Sequence, residues 1–214
     1  MHIDTLLGRV IEYSARKAIV GEGVDWSYAR LQQGIEEWHA RFAELDLKPG
    51  ELIAVRSDFR AEAIACLLAL LQHRAVAVMM SPADPGAVEK GSEIGVRLTV
   101  EIDREERFEI HNTAKPASTQ KRTPHPLIQT LLDRGHPGFV VFSSGSSGSP
   151  KAVLHDADGF CAHLVDVRKA KSTVGFLALD HIAGVDTLLY TLFAGGSLVP
   201  VSYTHLTLPT NREV

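Results

Sequence analysis

Five serines, two glycines, a proline and a lysine fill the nine positions Ser143-Ser144-Gly145-Ser146-Ser147-Gly148-Ser149-Pro150-Lys151. Their chemistry is anion binding. Glycine opens backbone conformations closed to other residues, so successive N–H groups can converge on one anion while serine hydroxyls add further donors. Lys151 supplies a positive charge at the rim. Donors spread over so many consecutive residues suit a polyphosphate better than a single carboxylate, which makes ATP the leading candidate ligand.

Several better-known templates fail on these residues. A Walker-type loop needs Gly-Lys-Ser/Thr after its second glycine, whereas Gly148 is followed by Ser149-Pro150-Lys151. A dinucleotide fingerprint needs a third glycine, and no Gly-x-Ser-x-Gly elbow is present for a serine hydrolase. A flexible Gly/Ser linker has the same composition. A linker, however, has no reason to sit between the apolar run Phe139-Val140-Val141-Phe142 and the second apolar step Ala152-Val153-Leu154. The segment therefore reads as a loop hung from a buried strand.

The elements that must position this loop alternate between helix and strand. Tyr28, Leu31, Ile35, Trp38, Phe42 and Leu45 recur at steps of three and four, predicting an amphipathic helix capped by Ser27 and ended before Lys48-Pro49-Gly50. Leu52 to Val55 predicts a strand, Phe59 to His73 a largely apolar helix and Ala75 to Met79 another strand. That order implies a parallel sheet. Leu98 to Val100 and Phe108 to Ile110 predict short strands around the charged turn 103–107, and 111–126 reads as an exposed loop. A brief helix over Leu127 to Leu132 follows, then the strand into the loop, a strand near Val174 to Ala178, a helix over Ile182 to Phe193 and a strand over Ser197 to Pro200. The expected fold class is α/β, with parallel-sheet layers and flanking helices.

Composition narrows the function further. The chain has 214 residues, 45% hydrophobic, with a net charge of −4. With no basic stripe interleaved with aromatics, a nucleic-acid binder is not expected. Cys66 and Cys161 lie among apolar neighbours and read as buried small hydrophobes, not as a disulfide or a metal pair. His136, His163 and Asp166 lack metal-ligand spacing. The start carries Asp4 and Glu12 and lacks a signal-like apolar core, and the stretch from Ala63 to Leu71 is too short to span a bilayer. The expectation is a cytoplasmic chain.

The segment Ser143 to Lys151 resembles the phosphate loop of the adenylate-forming superfamily of acyl-CoA synthetases, peptide-synthetase adenylation domains and luciferases. It meets every defined position of Thr/Ser-Ser-Gly-Ser/Thr-Ser/Thr-Gly-x-Pro-Lys. Ala152 stands where relatives usually continue with glycine. Trp26 to Leu31 resembles the family's early segment before its first long helix, and Leu70 to Val78 a helix-to-strand step in which Arg74 replaces the usual glycine. Phe176 to Gly184 resembles the segment bearing an acyl-pocket residue, here His181, and Gly195 to Val199 the strand after it. A histidine beside Asp180 at a helix start could equally be a capping or packing residue.

The resemblance implies ATP-dependent activation of a carboxylic acid as an acyl-adenylate, then transfer to a thiol, commonly that of coenzyme A. It implies phosphate contacts from Ser143, Ser144, Gly145, Ser146, Ser147, Gly148 and Lys151, with Mg²⁺ bound through ATP. Lys151 is not the family's principal catalytic lysine. That lysine, the adenine-binding aromatic segment, the Mg²⁺-binding Glu and the ribose-binding Asp belong to regions beyond this chain. The expected organisation is an incomplete N-terminal adenylation domain over 1–200 and a non-native tail over 201–214, since Val201 to Thr210 resembles a translated sequencing adapter. Such a fragment should be inactive alone. Two other readings stay open: an ATP-binding module without ligase activity, and a structural domain whose loop binds nothing.

Overall fold

The computed structural model describes residues 1–21, 24–113, 124–143, 150–167 and 169–201. The tail beyond 201 and most of the Gly/Ser segment lie outside them. The chain opens with α1 (His2–Glu12), the hairpin β1 (Lys17–Gly21) and β2 (Val24–Ser27), and α2 (Tyr28–Glu44). There follow β3 (Leu52–Arg56), α3 (Ala61–Gln72), β4 (Val76–Met80), α4 (Ala87–Ile94), and the strands β5 (Leu98–Ile102) and β6 (Phe108–Asn112). The second half carries α5 (Pro126–Arg134), β7 (Gly138–Ser143), β8 (Lys151–Asp156), α6 (Ala157–Cys161), β9 (Ser172–Gly175), α7 (Ile182–Phe193) and β10 (Ser197–Pro200).

These strands form two sheets, ordered β2-β1-β10-β9 and β6-β5-β3-β4-β7-β8. The centre of the larger sheet is parallel, as expected, from β5 through β3 and β4 to β7. Its two edge strands run antiparallel, β6 on β5 and β8 on β7. In the smaller sheet β1, β10 and β9 are parallel and β2 is the antiparallel edge. Every residue of β4 and the middle of β3 are buried, the signature of strands covered on both faces.

The core is built around α3, in which Ala61 to Leu71 are all buried. Small residues let α2 cross it closely: a Cβ on Gly34 would sit 3.0 Å from the Ala65 Cβ and 2.9 Å from the Trp26 ring. Trp38 stacks on Phe42 at 5.5 Å and meets Phe108 at 4.7 Å, so the apolar stripe of α2 seals the core against β6. Ser27 caps α2 as anticipated, its Oγ accepting from the Arg30 N–H at 3.1 Å. Tyr28 donates its hydroxyl to the Gly196 carbonyl at 2.8 Å, and burial pushes its pKa up. Cys66 and Cys161 are buried and unbridged; burial raises both thiols, Cys161 to about 12.

Two anchors tie α1 to the second half. Arg9, 5% exposed, donates to the carbonyls of Val165, Val167 and Phe193, satisfying the end of α7 from a distant helix. Asp158, also buried, accepts from the Ile3 N–H at 3.1 Å. At the step from α3 to β4 Arg74 takes a left-handed conformation, at φ 57°. The turn closes around Arg74 by hydrogen bonds from the Arg74 and Ala75 N–H groups to Leu71 and Leu70. An L-residue pays a steric cost there.

Candidate functional site

β7, beside the edge strand β8, leads into the Gly/Ser segment. Gly138 to Val141 are buried, and β7 runs parallel to β4 from Val76↔Gly138 to Val78↔Val140. β8 returns antiparallel, in register from Gly138↔Asp156 to Ser143↔Lys151. The segment 144–149 therefore leaves from the carboxyl end of a parallel strand and comes back at its flank. Carboxyl ends are where open α/β sheets bind ligands. Ser144, Gly145, Ser146, Ser147 and Gly148 lie outside the described residues. At the base, the Ser143 hydroxyl donates to the Lys151 carbonyl at 3.4 Å, bringing these two expected contacts together. Lys151 is exposed, and its ammonium makes no hydrogen bond or ion pair among the described residues.

The far end of β8 is pinned. Asp156 caps α6 by accepting from the Gly159 N–H at 3.0 Å, and its carboxylate also meets His136 at 2.9 Å and Arg134 at 3.2 Å. Burial pushes the Asp156 carboxyl up, but the Gly159 N–H, His136 and Arg134 outweigh it and hold the pKa below the usual value. His155 stacks on Phe139 at 4.8 Å, and burial lowers its pKa. The hairpin thus enters the Gly/Ser segment from a fixed frame.

A cleft of about 410 Å³ opens where the two sheets turn their carboxyl ends together. Six strand ends contribute: Gly21 from β1, Asp58 after β3, Ser81 after β4, Arg104 after β5, Phe176 after β9 and Val201 after β10. His181 lines it too, with its side chain 64% exposed. His181 holds the N-cap position of α7 and makes no side-chain cap bond. Asp180 lies beside it at 4.0 Å. Ser143 and Lys151 are not among the lining residues.

Apart from His181, which the resemblance of Phe176 to Gly184 singled out, sequence reading passed over the residues that shape this cleft. Gly184, in the first turn of α7, lets the chain at 177–178 lie directly on the helix: a Cβ there would come within 2.1 Å of the Ala178 carbonyl oxygen. A glycine inside an otherwise apolar helix was the available signal. Arg104 and Glu106 sit in the turn between β5 and β6, which charge alone marked only as a turn.

The sequence model of the family described as AMP-binding enzyme matches residues 84–212. The chain belongs to the AMP-binding enzyme family. Among its relatives in that family is the non-ribosomal peptide synthetase CmlP of Streptomyces venezuelae, 24% identical over 225 residues, which take in 92% of this chain and 22% of CmlP. The N-terminal subdomain of Klebsiella oxytoca NpsA, solved with 3-hydroxyanthranilyl-AMSN, superposes with a TM-score of 0.71 at 18% identity, over 93% of this chain and 52% of that one. The AMPPNP-bound form of the peptide synthetase FmoA3 does so with a TM-score of 0.72 at 16% identity, over 94% of this chain and 23% of that one. These structures establish that the fold is that of adenylate-forming N-terminal domains. The chain spans about a fifth of CmlP and about half of the NpsA subdomain.

Among the described residues no three His, Cys, Asp or Glu side chains come together as metal ligands. No helix among them is long and apolar enough to cross a membrane.

Proposed function

We propose that this chain is the front portion of a domain that activates a carboxylic acid with ATP, forming an acyl-adenylate and pyrophosphate before the acyl group passes to a thiol. The observation that carries the reading is the Gly/Ser segment set between β7 and β8 at the carboxyl edge of a parallel sheet, in a chain of the AMP-binding family. ATP supplies the leaving group. The chain's own residues bind and orient it: Ser143, Ser144, Gly145, Ser146, Ser147 and Gly148 donate to the β- and γ-phosphates, and Lys151 offsets their charge. Mg²⁺ enters with the nucleotide.

His181 forms one wall of the acyl pocket, at the end of the cleft set by α7. The thiol acceptor is coenzyme A or a carrier domain; the relationship to a peptide synthetase supports the carrier arm. Residues 1–200 serve as the incomplete adenylation domain and 201–214 as a non-native tail, so the 214-residue chain alone does not turn over. Calorimetric titration of the full-length protein with ATP and Mg²⁺ tests the reading. Heat of binding that disappears when Lys151→Ala is combined with Gly148→Val supports it, and binding indifferent to both substitutions refutes it.

A further inference from the structure

β6 is an edge strand that the fold leaves open. It pairs with β5 in unbroken register from Leu98↔Asn112 to Ile102↔Phe108, with no proline and none of the irregularity that interrupts the pairing of β1 with β2. Bulges and prolines are among the usual guards of such an edge. The backbone bonds that flank the pairing, from the Asp103 N–H to Arg107 at 2.9 Å and from the Thr113 N–H to Arg97 at 3.0 Å, fix which residues face β5. By alternation Glu109 and His111 bond toward β5, while Phe108 and Ile110 turn their N–H and C=O groups outward, where no strand lies among the described residues. Phe108 and Ile110 pack against the core yet stay only half-buried, because β6 is the last strand over it. On the other face Glu109 and His111 stand 3.4 Å apart, with side chains 79% and 50% exposed.

We propose that β6 is the docking edge for a second copy of this chain, the two strands pairing antiparallel about a two-fold axis at Ile110. In that register Ile110 exchanges both backbone hydrogen bonds with Ile110 of the second copy. Glu109 then falls directly opposite His111 of the second copy, twice over by symmetry, in the closely spaced pairs where side chains meet. Sliding the axis by one residue either way sets Glu109 against Glu109 or His111 against His111, so charge selects the register. Neighbouring charges do not compete: Glu101, across from Glu109 on β5, is held by Arg56 at 2.8 Å, and Arg107 is matched by Asp103 at 2.8 Å and Glu105 at 3.2 Å. The pairing continues the six-stranded sheet across the axis and covers the open flanks of Phe108 and Ile110. Five residues a side fall short of the roughly 20–30 of a standard interface, so the dimer is a weak one, with Kd of the order of 0.1 mM. The contact is independent of the nucleotide reading, since β6 lies at the opposite edge of the sheet from β7 and β8.

The test is sedimentation velocity on the 214-residue chain, over about a tenfold range of concentration either side of that Kd. The weight-average mass should climb toward twice that of one chain. His111→Glu sets carboxylates opposite each other at both symmetric positions and should weaken association by about tenfold or more; Glu109→Lys removes both acceptors and should do the same. Both side chains are exposed, and circular dichroism checks that each variant is folded. Mixing the two single variants, or combining both substitutions in one chain, puts opposite charges back across the axis and should restore the dimer. A chain that stays monomeric throughout the range, a dimer indifferent to both single substitutions, or single variants that dissociate and do not recover on mixing would each overturn the proposal.

Discussion

Gly184→Ala separates two physical effects of opposite sign. On helix propensity alone, alanine in place of glycine inside α7 should stabilise the protein by about 1 kcal/mol. The structure predicts the reverse. An added Cβ would lie 2.1 Å from the Ala178 carbonyl oxygen, 2.6 Å from that of Leu177 and 2.8 Å from the Ala178 carbonyl carbon. All three are backbone atoms, so no rotamer change relieves the contact, and the strand-to-helix connection must retreat by roughly 1 Å or more to recover ordinary van der Waals separation. That motion strains the hydrogen bonds from His181 N–H to Ala178, at 3.1 Å, and from Gly184 N–H to His181, at 2.9 Å. Overpacking of this kind costs about 1–3 kcal/mol, which after the propensity gain leaves a net loss of up to about 2 kcal/mol. For a chain of this size the melting temperature should fall by up to about 4–8 °C. Thermal unfolding followed by circular dichroism measures it, with the His181 ring resonances reporting movement at the cleft. A rise in melting temperature with unchanged His181 resonances would refute the close-approach argument.

Arg74→Gly should stabilise the chain by about 0.5–1 kcal/mol in urea unfolding, because relief of the left-handed conformation at φ 57° exceeds the entropy glycine loses on folding. Arg9→Met should destabilise by about 3 kcal/mol in the same assay, since the carbonyls of Val165, Val167 and Phe193 lose a charged donor, the last of them at a fully buried contact. The depressed Asp156 pKa gives a pH signature: its contribution is complete above the unfolded carboxyl value of about 3.9 and is lost as pH falls through the lower folded value. Urea unfolding of Asp156→Asn should accordingly show a shallower loss of stability on acidification than the parent chain.

What could be read from sequence was what local pattern encodes. The stripe of α2 and its Ser27 cap follow from a 3.6-residue period and one hydroxyl, and β3, α3 and β4 from apolar runs broken by turn residues. The bounds of α7 and β10 agree with expectation because Asp180-His181 and Gly195-Gly196 punctuate them. Helix α1 was passed over, although Ile3, Leu6 and Val10 share a face; those residues were weighed only as a possible leader. Helix α4 was hidden by its brevity and the interior Gly91, and β1 and β2 by strands of five and four residues. The Gly/Ser segment stands out in the sequence because its chemistry is contiguous. The cleft as a whole does not, because Asp58 and Arg104 come from separate strand ends that only parallel pairing brings together, and only the connection from Phe176 to His181 had been singled out. Nor does residue type reveal that Glu106 caps α3 across 44 and 45 positions of chain.

Exchange of labelled pyrophosphate into ATP by the full-length protein tests the central claim most directly. The account predicts exchange that depends on one class of carboxylic acid among fatty, aryl and amino acids, and that collapses when Gly148→Val and Lys151→Ala are combined. Exchange with none of those acids by a folded, ATP-binding protein would contradict it.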